Sequence, residues 1–205
     1  MKKINYMYEN FPYLSDLITA IENIGDNYCK WDYKASIQQI ERVFAYELYY
    51  QLKLISHTSP NYQEINFNGE ISKKISAEIN TLHTGITIES KYVSPDLVLH
   101  KQQIDSSTIN QKLIIEIKAG NKSNKQIAKD ILKLNYGIET LNFEFGVFIS
   151  INTRFTTINS KLKKIFINKD RLNQEETSRF SKIIIVNYNN EIIECKSLYE
   201  ILEID

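Results

Sequence analysis

The stretch Leu113-Ile114-Ile115-Glu116-Ile117-Lys118 decides how the rest of the chain is read. Side chains alternate across a strand, so Leu113, Ile115 and Ile117 share one face while Ile114, Glu116 and Lys118 share the other. A carboxylate and an ammonium at consecutive same-face positions of an apolar strand are costly to bury without partners. Taken alone, a Glu-x-Lys tripeptide is common and reads as the solvated face of an edge strand. The segment Ser94-Pro95-Asp96-Leu97-Val98-Leu99-His100 changes that reading. It is a second strand with proline at its entry, where a missing N–H is tolerated. If the two strands pair as a hairpin across the polar run 101–111, the start of one lies beside the end of the other. Asp96 then meets Glu116 and Lys118 at one end of a sheet. The competing explanation is a hairpin end that merely carries a salt bridge. His100 shares the Asp96 face two residues deeper and reads as a hydrogen-bonded core histidine.

Helices flank this pair of strands. Periodicity predicts a short helix over roughly 13–24 and a long one over roughly 36–55, the latter with Ile37, Ile40, Phe44, Leu48 and Ile55 at three- and four-residue spacing. On a helical wheel Glu47 falls in the stripe of Ile40, Phe44, Leu48 and Ile55, with Gln51 one turn on. An inward acidic residue needs a cation or a donor, and a buried lysine would serve as well as a metal. The region 62–89 reads as two short strands with Asn68-Gly69 as a turn. After the Glu-x-Lys strand come a turn at 119–121, a helix over 124–141 and an apolar strand over 146–151. A helix near 157–165, a polar stretch, a strand over 182–188 and a small terminal helix complete the chain. The class is α/β (α+β), with a mixed sheet.

At 205 residues, 42% hydrophobic and 24% charged, the chain suits one soluble globular domain spanning 1–205. Twenty-five basic residues against 25 acidic give no net charge, which argues against a broad grip on phosphates. A local basic groove beside acidic ligands stays compatible with that sum. Cys29 and Cys195 lie far apart without metal-ligand spacing and read as reduced thiols, and His57, His83 and His100 are too scattered for a zinc site. The N-terminal segment lacks the apolar core of a signal peptide, and no run is long enough to cross a bilayer, so a cytoplasmic protein is expected.

Pro95-Asp96, a gap, then Glu116-Ile117-Lys118, preceded by a helix carrying Glu47, resembles the PD-(D/E)xK nuclease superfamily. The likeness spans roughly 36–151, leaving an N-terminal helical and a C-terminal α/β extension. It implies a restriction-endonuclease-like fold with an αβββαβ core and a metal-dependent endonuclease acting on DNA, in restriction, phage defence or repair. Asp96, Glu116 and the Ile117 main-chain carbonyl would hold Mg²⁺ or Mn²⁺, with Glu47 a further ligand and Glu70 a weaker candidate. Lys118 would orient the attacking water or stabilise charge on the phosphoryl oxygens. Members of this superfamily often dimerise, so a homodimer is compatible. Lys122, Lys125, Lys129 and Lys133 form a stripe opposite Ile127, Ile131, Leu134 and Ile138 that could follow a phosphate backbone, although a lysine-rich outer face is also ordinary for a soluble helix. Gln126 and Lys129 lie near where some members place an auxiliary residue. Tyr46, Tyr49 and Tyr50 could stack on bases, but packing is the simpler role. Two other readings stand beside the enzyme: a non-catalytic nucleic-acid-binding or structural module of the same fold, and an unrelated mixed-sheet domain with a chance motif.

Overall fold

The computed structural model describes residues 11–29, 37–69, 73–74, 81–86, 88, 92–101 and 109–204. In chain order the elements are α1 (Pro12–Glu22), α2 (Ile37–Thr58), β1 (Ile65–Gly69), β2 (Lys73–Lys74), β3 (Tyr92–Val93), β4 (Leu97–Lys101) and β5 (Gln111–Ala119). They continue with α3 (Asn124–Glu139), β6 (Phe145–Ile151), α4 (Phe155–Ile165), α5 (Gln174–Phe180), β7 (Ile183–Asn189), β8 (Ile192–Ser197) and α6 (Leu198–Leu202). Six strands form one mixed sheet in the order β1-β4-β5-β6-β7-β8, and β2 pairs with β3 separately. The centre, β5-β6-β7, is parallel, and the pairs β1-β4, β4-β5 and β7-β8 are antiparallel. The expected α/β class with a mixed sheet and flanking helices is what the chain adopts.

Helices cover both faces, and this explains why the central strands are apolar on both. Leu97, Leu99, Leu113, Ile115, Ile117, Val147 and Ile149 pack with α1 and α2. Val98, Ile114, Phe148 and Ile185 pack with α3, α4 and α6. Every residue of β6 is buried. Among the described residues, no helix is long and apolar enough to cross a membrane.

Helix α3 starts at a capping box, with the Ser123 hydroxyl accepting from Gln126 N and Gln126 Oε1 accepting from Ser123 N. It lies unusually close to the sheet. A Cβ on Gly137 would stand 2.7 Å from Ile114 Cδ1 of β5, and one on Gly146 of β6 would stand 2.9 Å from Leu134 Cβ. These two absent side chains set the depth at which α3 sits.

Two local expectations change. Asn68 and Gly69 are strand rather than turn, because β1 pairs with β4 along its length, from Ile65 opposite Lys101 to Gly69 opposite Leu97. The stretch after α4 contains α5, which opens on an Asn173–Glu176 capping box, and the edge strand β8, whose mixed exposure hides it from a search for apolar runs.

Candidate functional site

The hairpin expected from the sequence forms, with Leu97 opposite Ile115, Val98 opposite Ile114 and Leu99 opposite Leu113. Asp96 stands just before β4, its backbone N–H donating to Ile115 O at 3.0 Å. Its carboxylate then continues the ladder where β4 has no further residue to pair, because Asp96 Oδ2 accepts from Ile117 N at 2.6 Å. Alternation along β5 sends Glu116 and Lys118 to the α3 side, beside Ile114. Asp96, Glu116 and Lys118 do come together: Lys118 Nζ lies 3.7 Å from Asp96 Oδ2 and 3.5 Å from Glu116 Oε2. It also donates to Ile117 O at 3.1 Å.

Two residues of α3 complete the cluster, and sequence reading gave neither this role. Asp130 Oδ2 lies 3.6 Å from Lys118 Nζ. Lys133 Nζ reaches Glu116 Oε1 at 3.1 Å and Asp130 Oδ1 at 3.3 Å. The available signal was Asp130 on the flank of the α3 apolar stripe, one turn before Leu134, with Lys133 three residues on.

Glu116 is 1% exposed and Asp130 4%. Burial pushes the Glu116 carboxyl up to about 8, with Asp130 and Asp96 adding to the rise and Lys133 and Lys118 opposing it. Burial likewise raises Asp130 against the pull of the same two lysines. Burial alone would lower Lys118, yet Asp130, Asp96, Glu116 and Glu41 outweigh it and hold the ammonium above its ordinary range. Lys133 is raised in the same way, its desolvation overcome by Glu116 and Asp130. Three carboxyl groups thus share two ammonium groups in a largely dry place, and Glu116 holds its proton well above the ordinary carboxyl range.

The glutamate of α2 that reaches this end of the sheet is Glu41, not Glu47. Glu41 Oε1 accepts from Ala119 N at 2.9 Å and pairs with Lys122 Nζ at 2.7 Å. Glu47 is half-buried and accepts from Gln51 of its own helix at 2.7 Å. The reason is rotational. The buried positions of α2 are Ile40, Phe44, Leu48 and Leu52. At about 100° per residue, Glu47 stands about 20° outside the stripe, beyond Ile40, rather than in it, and Leu52 widens the buried face on the other side to include Glu41.

The lysine stripe of α3 is not one surface. Lys133 turns into the cluster, Lys122 pairs with Glu41, Lys125 is exposed and Lys129 is half-buried. Tyr136, which lies between Lys125 and Lys129 around the helix, is buried, as are Ala128 and Leu132 beside Lys125, because α3 is covered by the sheet on one side and by α4 and α5 on the other. Gln126 belongs to the capping box. His100 is buried with Nε2 3.0 Å from Asn68 Nδ2, as a core histidine should be. Tyr46, Tyr49 and Tyr50 are exposed rather than packed, although Tyr49 meets Phe67 edge-on. Glu70 lies outside the described residues.

The donors suit a hard divalent cation: Asp96, Glu116, Asp130 and the Ile117 carbonyl offer only oxygen. Asp130 Oδ2 is buried without a hydrogen-bond partner, facing Lys118. Among the described residues, however, no three His, Cys, Asp or Glu side chains converge as a ready cation cage. The residue types fit a divalent ion, and their present partners are lysines.

Comparison of this chain with protein-family models, with curated proteins and with solved structures finds no match.

Proposed function

We propose that the chain is a metal-dependent nuclease of the PD-(D/E)xK type, hydrolysing phosphodiester bonds of DNA on a restriction-endonuclease-like fold. One observation carries the reading: Asp96, Glu116 and Lys118, from two strands and separated by a loop, meet within 3.7 Å of the Lys118 ammonium. With the separate β2–β3 pair set aside as an insertion, the element order α2, β1, β4, β5, α3, β6 supports it, because it follows the αβββαβ core that the motif implies.

In this reading Asp96, Glu116 and the Ile117 carbonyl would hold Mg²⁺ or Mn²⁺, with Glu41 standing nearer to them than Glu47, the helix glutamate the motif suggests. When bound, the ion supplies Lewis-acid stabilisation and a water of lowered pKa. Lys118, held as an ammonium by its acidic neighbours, donates to a phosphoryl oxygen and offsets the charge that builds there. Asp96, tied to Ile117 N, keeps its other oxygen for ligation or for orienting water. The neutral whole-chain charge fits a site that engages one or two phosphates rather than a long basic track.

The test is cleavage of supercoiled, linear and single-stranded DNA in Mg²⁺ or Mn²⁺, with chelator as control. Metal-dependent nicking that Asp96→Ala and Lys118→Ala abolish is the expected result. Persistent absence of cleavage on all three substrates, and on RNA, would sink the proposal. A second reading, a DNA-binding module without catalysis, is favoured by the pairing of both lysines with the carboxylates. It predicts binding in Mn²⁺ without turnover.

A further inference from the structure

The charged groups on β5 and α3 are connected in a closed order. Lys118 faces Asp130 at 3.6 Å, Asp130 faces Lys133 at 3.3 Å, Lys133 faces Glu116 at 3.1 Å, and Glu116 returns to Lys118 at 3.5 Å. Each acidic group has two ammonium neighbours and each ammonium two acidic ones. Two corners come from a strand, two residues apart, and two from a helix, three residues apart. Asp96 joins from outside the ring, through Lys118 alone.

A ring of this kind is a poor way to stabilise a fold. Taking ionisable groups out of water is costly, and well-packed apolar residues of similar volume do as well or better. The surroundings are apolar already, with Ile127, Ile131 and Leu134 on α3 buried around Asp130. What a ring does provide is position. A lysine has a flexible four-carbon stem, and one partner does not fix its ammonium. Three carboxylates around Lys118 and two around Lys133 leave each ammonium one place to stand. The depth of α3 is set by the contacts at Gly137 and Gly146, so the helix corners are held as firmly as the strand corners.

We infer that Asp130 and Lys133 are positioning residues of this site: Asp130 fixes the ammonium of Lys118, and Lys133 fixes the carboxylate of Glu116. The consequence for turnover rests on the nuclease reading above; the consequence for Lys118 does not. Neither residue needs to touch the substrate.

The experiment compares wild type with Asp130→Asn, Lys133→Gln and Lys133→Arg, each first checked for a cooperative melt. In the metal-free protein, amine-reactive labelling read at Lys118 by mass spectrometry should be several-fold faster in Asp130→Asn than in wild type. In single-turnover cleavage, Asp130→Asn and Lys133→Gln should lose about 10- to 100-fold in rate, with DNA affinity little changed and partial rescue in Lys133→Arg. Equal labelling of Lys118 in wild type and Asp130→Asn overturns the inference. So does a drop in Mn²⁺ affinity of about tenfold or more in Asp130→Asn, which would make Asp130 a ligand. If wild type cleaves nothing, the nuclease reading fails while the labelling result still decides the ring. If Asp130→Asn does not fold, Lys133→Gln carries the test: with Lys133 gone, Glu116 and Asp130 are left to Lys118 alone, so labelling of Lys118 should slow, and unchanged or faster labelling overturns the inference.

Discussion

Along β5 the side chains turned to α1 and α2 are Leu113, Ile115, Ile117 and Ala119, whereas those turned to α3 begin with Ile114 and continue as Glu116 and Lys118. Both faces are roofed by helices and both are mostly dry. One roof meets these side chains with apolar atoms, its Glu41 reaching only the backbone N–H of Ala119, and the other meets the end of the strand with Asp130 and Lys133. The difference teaches that the charges are not tolerated at a wet edge. They are built in under a helix, where each needs a partner, and the partner had to come from a different element.

The comparison breaks most sharply if the two faces are altered in turn. Lys118→Ala should lower DNA cleavage by at least about a thousandfold, roughly 4 kcal/mol of barrier, while leaving the fold intact. A nicking assay beside a thermal melt measures both. On the opposite face, Phe44→Ala removes a side chain that is fully buried against the sheet and should cost about 3–5 kcal/mol of stability in urea melts. If Phe44→Ala instead proved harmless, the α2 face would not be the packed core described here.

A pH series separates the faces without removing a side chain from either. The Glu116 carboxyl is pushed up to about 8 by burial and its acidic neighbours, and unfolding returns it to 4.5. Between these values the folded protein keeps a proton that the unfolded chain releases, so the contribution to stability is complete below 4.5 and lost as pH rises through about 8. The urea midpoint of the metal-free protein should fall over that window. Glu116→Gln should flatten the fall, and Phe44→Ala should shift the curve without changing its slope.

Gly137→Ala probes the spacing between α3 and the sheet. Its Cβ would meet Ile114 Cδ1 at 2.7 Å and Cγ2 at 3.0 Å, so a loss of about 1–3 kcal/mol is expected, partly recovered with Ile114→Val. At the small end, Tyr46→Ala should change stability by less than about 0.5 kcal/mol, since Tyr46 is 68% exposed on α2. A larger effect in a calorimetric melt would mean that this tyrosine has a partner in solution.

The strand pair was legible because alternation and a proline at the strand entry are local rules, and together they place Asp96 opposite Glu116. The helices were legible in extent for the same reason: α2 and α3 end within a few residues of where periodicity puts them. The helix contributions to the site were not. A wheel gives direction around an axis only as well as its apolar stripe is centred: Glu41 and Glu47 each lie about 20° outside the stripe of Ile40, Phe44, Leu48 and Ile55, and Leu52 is what brings Glu41 inside. For α3 the wheel assumed one buried face, whereas the helix is covered on two sides, which is why Lys133 read as an outward lysine and Asp130 passed unnoticed. The edge strand β8 was lost because half of its positions face solvent, leaving no apolar run to find.

The ring on β5 and α3 has a consequence for the order in which the chain is made. Synthesis proceeds from the N-terminus, so Asp96, Glu116 and Lys118 emerge before Asp130 and Lys133. The β4–β5 hairpin can close early, since Asp96 and Ile117 are only 21 residues apart. Until α3 docks, its strand corners stand without a roof, hydrated and with ordinary proton affinity. The raised affinity of Glu116 and the fixed place of Lys118 therefore arrive together, when the helix settles with Gly137 against Ile114. A chain on which α3 has yet to dock carries the residues of the site without its chemistry.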